Sequence, residues 1–193
     1  MEETKKSTEC KYLERRIQQL ERHFDFSQSI NGITKLQSDR LKGLRLLCHA
    51  EFEDYFESVA LKLLEKGERK WSKQRVANYN LASLLVFHEK IEKMHDTQTK
   101  VHKIIVDYRQ LIRDNHGIKE SNIKKMYEPL GYSIDDFDPI FLATLSSYGE
   151  LRGEIAHSSM KHTRQLFDKY DEHNKLKEIL RGITQFEKVI DSI

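Results

Sequence analysis

Pro129 and Pro139 are the only prolines in 193 residues, and glycine occurs just eight times. So few turn formers cannot supply the many tight reversals of an all-β fold, and long helices are expected instead. The apolar residues agree, because they recur at three- and four-residue intervals and never alternate over more than a few positions. Leu13, Ile17, Leu20 and Phe24 mark a helix over 10–24. Leu41, Leu44, Leu47, Cys48, Phe52, Tyr55, Phe56, Val59 and Leu63 mark another over 38–66, after which a loop is expected at 66–75. Helices are predicted over 77–95 and 98–115, either separate or continuous. "NHG" at 115–117 reads as a stop, with Gly117 suited to a left-handed cap. Ser121 is the expected cap of a short helix reaching Glu128. Asp138 as N-cap with Pro139 at the first helical position opens the next helix, which carries Phe141, Leu142, Leu145, Tyr148, Ile155 and Ala156. A last helix is predicted over 161–193, with Leu166, Phe167, Tyr170, Leu176, Ile179, Leu180, Ile183, Phe186 and Ile190 on its apolar side. The expected fold is an all-α bundle of about five to seven helices. Its length suits one domain, read here as an N-terminal helical extension (1–37) and a core (38–193).

Charge narrows the function classes. The chain has 33 basic and 31 acidic side chains for a net charge of +2, so it is no simple polybasic nucleic-acid binder and any RNA contact must use a local patch. Cys10 and Cys48 are the only cysteines, which suits a reducing compartment and gives no disulfide framework. No segment approaches the length of a membrane span, and a soluble, cytoplasmic protein without membrane contact is expected. Phosphate-cradling glycine loops, Gly-x-Ser-x-Gly and Cys-x-x-Cys are all missing, which disfavours nucleotide hydrolysis, serine-hydrolase and zinc-site chemistry.

The informative stretch is "LRGEIAHSS" (151–159). At 100° per residue, Arg152 falls among Phe141, Leu145, Tyr148, Ile155 and Ala156, so a guanidinium occupies the apolar stripe. Burying it unpaired costs several kcal/mol, roughly the effective desolvation penalty of one ion. It therefore serves either a structural salt bridge or an anion site at a cleft or subunit seam. Glu51, between Leu47 and Tyr55, is the expected carboxylate partner, while Glu53 and Asp54 are expected to point away. His157 lies roughly 140° around and about 7.5 Å along the helix from Arg152. One helix cannot easily aim both at one atom, whereas two copies across a two-fold axis bring two such pairs together.

Lesser candidates surround it. Lys70, Trp71, Lys73 and Arg75 combine cations with an aromatic that can stack a base, although a solvated loop anchored by one aromatic explains them as well. His162 is either an RNA contact or a helix-entry residue. His88, His95 and His102 repeat every seven residues, too far apart along a helix to share a metal. His49 and Glu53 are read as a surface pair.

With these residues in view, the chain resembles the HEPN superfamily (higher eukaryotes and prokaryotes nucleotide-binding domains). Arg152 and His157 match its Arg-x4–6-His motif at the shortest spacing. "LRLLCHAEFEDYFE" (44–57), "NHGIKESNIKKMYEPLGY" (115–132) and "LRGEIAHSS" look like its bacterial RiboL-PSP branch, and the likeness covers roughly 38–190. The resemblance implies an endoribonuclease of toxin–antitoxin or antiphage defence systems that needs neither metal nor cofactor. It cleaves single-stranded RNA through the substrate's own 2′-OH. Arg152 would hold the scissile phosphate, His157 would transfer the proton and Glu51 would support the arginine. The implied partners are an RNA substrate, a second copy forming a composite site, and an antitoxin or other regulatory protein. An alternative from another class is a catalytically silent module binding RNA, nucleotide or protein. Gly153, where many active members have a polar residue, is the feature behind it.

Overall fold

The computed structural model describes residues 6–25, 33–88, 96–157 and 168–192, the side chains of 151 and 153–157 excepted. The described residues hold seven α-helices and two short 3₁₀ turns, with no strand among them. In order they are α1 (Thr8–His23), α2 (Lys35–Gln74), α3 (Tyr79–Phe87), α4 (Thr97–Arg113), α5 (Glu120–Tyr127), α6 (Pro139–His157) and α7 (Lys169–Asp191). The 3₁₀ turns Glu128–Leu130 and Ile134–Asp136 lie between α5 and α6.

Short polar residues start most of these helices by accepting orphan backbone N–H groups, as N-caps do. Ser7 accepts from Cys10 at 3.0 Å, Asn78 from Leu81 at 3.1 Å and Asp96 from Thr99 at 2.8 Å. Thr34 and Gln37 form a reciprocal capping box on α2. Asp138 accepts from Ile140 at 2.8 Å, as its place before Pro139 predicts. Helix α5 is the exception. Its N-cap is Lys119 rather than Ser121, and the Glu120 N–H instead donates to Ser146 Oγ of α6 at 3.0 Å. Gly117 has the expected positive φ of 118° but lies beyond the end of α4, in the turn toward α5.

Helix α2 is the spine. Its 40 residues span about 60 Å at 1.5 Å each, and α1, α3, α4, α5, α6 and α7 all pack against it. It runs straight through the expected loop at 66–75. Gly67 is not a terminator here: a Cβ at that position would come within 3.0 Å of Leu81 Cβ and 2.5 Å of Asn78 Oδ1, so its bareness admits α3. The helix stops only at Gln74, with Arg75 left-handed at φ 58°.

The core is largely aromatic on the α5–α6–α7 side. Phe186 stacks on Phe137 at 4.9 Å and meets Tyr127 and Phe56 edge-on at 5.0 and 5.3 Å. Such pairs contribute about 0.5–1.5 kcal/mol beyond their buried area. On the opposite side, Cys10, Leu13, Ile17 and Leu20 of α1 enter the same core. The segment expected as an extension is thus packed into the bundle. Glu187 of α7 fastens its start by accepting from Ser7 N (3.2 Å), Ser7 Oγ and the Tyr55 hydroxyl (3.2 Å).

Of the two arrangements open for 77–95 and 98–115, the structure has the separate one: α3 ends at Phe87 and Asp96 caps a new start. His88 and His102 consequently sit on different elements, and His95 lies outside the described residues, as do Leu166 and Phe167 of the expected last helix. Among the described residues no helix is long and apolar enough to cross a membrane.

Candidate functional site

Helix α6 is anchored by Phe141, Leu142, Leu145 and Tyr148, all buried in the shared core. One turn beyond Tyr148 and Gly149 comes Arg152, on the edge of that buried face. The structure leaves it half-buried rather than sunk in the stripe. Among the described residues its guanidinium makes no hydrogen bond and no ion pair. His157 is the last residue of α6, and its side chain lies outside the described residues. His162 lies outside them altogether.

The fully buried guanidinium is Arg45 of α2, at 1% exposure. Arg45 Nε donates to both carboxylate oxygens of Glu172 on α7, at 3.1 and 3.0 Å, and Nη2 donates to Oε2 as well. Its Cζ lies 4.6 Å from the Tyr148 ring centroid, and the Tyr148 hydroxyl donates to Glu172 Oε1 at 3.1 Å. This network ties α2, α6 and α7 together one turn before Arg152 on α6. Removing one partner would strand a buried charge, at a cost of about 3–5 kcal/mol.

His49, one turn along α2 from Arg45, faces α6 at Gly149, one turn before Arg152. It is 2% exposed, not the surface residue its sequence context suggests. Its Nε2 lies 3.7 Å from where a Cβ on Gly149 would stand, so the ring abuts the backbone of α6 one turn before Arg152. Burial, and then the positive charge of Arg152, push its pKa from 6.5 down to about 4. Nδ1 has no hydrogen-bond partner and faces Glu53 Oε2 at 3.8 Å. Glu53 in turn accepts from the N–H of Gly117, so it points inward rather than away.

Glu51 is not the partner of Arg152. It lies roughly 200° around α2 from His49, facing α1, where it accepts from Arg16 Nε at 2.8 Å. Taking Leu47 as part of the apolar stripe misplaced this face, for Leu47 is 43% exposed. The stripe that meets α6 runs Arg45, His49, Phe52 and Phe56, against Tyr148, Gly149 and Phe141, and its two polar members were the signal missed.

Lys70, Trp71, Lys73 and Arg75 lie at the C-terminal end of α2 and not on a loop. Trp71 is partly buried against the core, while Lys70, Lys73 and Arg75 are exposed. Twenty-two residues of helix separate Trp71 from His49, about 33 Å, so within one chain this cluster is not brought to Arg152. Both thiols are buried, and burial pushes Cys10 up to about 12, far from a nucleophilic thiolate.

An all-α bundle with Arg-x4-His closing its sixth helix has the layout of a HEPN domain. The family model RiboL-PSP-HEPN matches residues 11–193, and the chain belongs to that family. Membership supports an RNA-related role. No curated protein matches the chain, and no solved structure does.

Proposed function

We propose that the protein is a metal-independent endoribonuclease acting on single-stranded RNA, with Arg152 and His157 as its catalytic residues. The observation that carries this reading is the half-buried guanidinium of Arg152, held on an anchored helix with no carboxylate on it among the described residues. Such a cation suits a phosphodiester, whose equatorial oxygens gain charge in the transition state.

The chemistry needs no group beyond the chain and the substrate. The ribose 2′-oxygen attacks the adjacent phosphorus and gives up its proton to an imidazole acting as base. The bond from phosphorus to the 5′-oxygen breaks, and that oxygen takes a proton from an acid. The products are a 2′,3′-cyclic phosphate and a 5′-hydroxyl. A homodimer, proposed with it, supplies the two proton-transfer groups as His157 from each copy, because one helix directs its own Arg152 and His157 roughly 140° apart. DNA lacks the attacking hydroxyl and should survive.

Single-stranded RNA incubated with the protein in EDTA provides the test. Wild type should cut it, leaving cyclic-phosphate ends, and Arg152→Ala and His157→Ala should each lose about 10²- to 10⁴-fold in rate. An excess of His157→Ala mixed with wild type should lower the wild-type activity if the site is composite, because each mixed dimer keeps one of the two imidazoles. Intact RNA with the wild type sinks the proposal. Gly153 favours a second reading, a silent RNA-binding module, and retained binding without cleavage would select it. A role in bacterial defence or growth arrest, under an antitoxin or other regulator, belongs to the same proposal. Expression of wild type should arrest a bacterial host, and the His157→Ala form should be tolerated.

A further inference from the structure

Two arginines lie one turn apart along the α2–α6 seam, and their fates differ. Arg45 is closed off by the carboxylate of Glu172 and capped by the Tyr148 ring. Arg152, in the next layer, makes no ion pair among the described residues. What changes between the layers is the polar group set into each: a carboxylate on Arg45, and one turn on an imidazole against Gly149, the turn of α6 that leads to Arg152. Among the described residues, the neighbouring carboxylates are committed elsewhere. Glu51 holds Arg16 at 2.8 Å, Glu150 lies 3.4 Å from Lys119, Glu53 takes the Gly117 N–H, and Glu172 serves Arg45.

We infer that His49 is a positioning residue for Arg152, seating the guanidinium beside α6 without supplying an anion to quench it. The inference rests on reading Arg152 as the phosphate-binding residue. Three facts support it. His49 is 2% exposed, so its placement is fixed by packing and not by solvent. Its ring spans from Glu53 Oε2, 3.8 Å from Nδ1, to the α6 backbone at Gly149, on the face that carries Arg152 one turn on. Nδ1 has no hydrogen-bond partner, an expensive condition for a buried polar atom that a packing role alone would avoid by using an apolar side chain. The charged groups facing the ring are Glu53 from its own helix and Arg152 from α6, with Lys119 packed beside Gly149 from the loop before α5.

The swap to make is imidazole for carboxylate. His49→Glu should pair with Arg152 as Glu172 pairs with Arg45, whereas His49→Gln keeps a neutral polar group of similar reach. Binding of a single-stranded oligonucleotide carrying 2′-O-methyl groups throughout, which cannot be cleaved, is followed by fluorescence anisotropy at two salt concentrations. His49→Gln should stay within about threefold of wild type. His49→Glu should fall at least about tenfold, to the level of Arg152→Ala, with a salt slope shallower by about 0.7, the loss of one phosphate contact. His49→Glu binding like wild type would overturn the inference, and so would His49→Gln falling as far as His49→Glu. His49→Asp repeats the swap with a shorter side chain. If neither acidic variant keeps a cooperative melt, the residue only packs and the inference is lost. Because the probe resists cleavage, the outcomes separate: a wild type that binds but never cuts RNA defeats the nuclease proposal alone. A cutting wild type with an unimpaired His49→Glu variant defeats this inference alone, and a wild type that does not bind defeats both.

Discussion

His49 carries a further consequence for stability, because its pKa of about 4 in the fold lies below the 6.5 of an unconstrained imidazole. Between those values the unfolded chain binds the proton and the native one does not, so stability rises with pH across this window. Acidifying from 6.5 toward 4 therefore removes stability, by up to about 1.4 kcal/mol per pH unit from this group. His88, also pushed down by burial, adds to the same trend. Urea melts of wild type and His49→Gln at pH 5 and 7 check it: the wild type should lose more between the two pH values than the variant does. A matching loss in both would remove His49 from the account. Arg152 was visible in the sequence because its stripe is otherwise apolar. Arg45 and His49 were visible in principle, at four-residue spacing in phase with Leu41 and Phe52. What concealed them is Leu47, an apolar residue on the wet side of α2 that shifts the apparent face by about one position. Glu172 was hidden for another reason. It is one of several charges in "DKYDEHNK", and only the tertiary meeting with Arg45 singles it out.

Helix against helix, α6 and α7 meet closely at Gly182. A Cβ built on Gly182 would come within 2.0 Å of Phe141 Cδ2, so the two helices are held closer than a side chain there would permit. Two effects compete when Gly182 becomes alanine. Helix propensity gains about 1 kcal/mol, whereas overpacking a dense core costs about 1–3 kcal/mol. The overlap involves rigid ring atoms rather than the end of a flexible chain, so the cost wins. Gly182→Ala should lower stability by up to about 2 kcal/mol in denaturant melts, and Phe141→Leu should relieve part of that loss in a double-mutant cycle. A more stable Gly182→Ala would show that the helices can part without penalty. At this scale the periodic apolar stripes located the helices well, because burial of one face is what stabilises them. They failed at 66–75, where glycine and a run of charges mimic a loop, since nothing local announces that α3 needs the bare backbone at Gly67. They failed at Ser121 too, where a serine from another helix does the capping.

For the whole bundle, α1 is the piece whose importance the sequence understated. Cys10, Leu13, Ile17 and Leu20 are each 4% exposed or less. At about 1.5–3 kcal/mol per buried side chain, these four contribute roughly 6–12 kcal/mol, comparable to the whole net stability of about 5–15 kcal/mol usual for a domain. Deleting residues 1–33 should therefore abolish the cooperative thermal transition followed by circular dichroism at 222 nm, and a sharp transition in the shortened chain would refute that weighting. An amphipathic helix near a terminus looks optional in sequence, and only its contacts with α2 and α7 reveal otherwise. The continuity of α2 has a last implication. Since no hinge interrupts it among the described residues, the basic end around Trp71 and the seat of Arg152 are two marks on one stiff rod. A strand that touches both on one subunit has to stretch between them, and one too short to reach must choose an end.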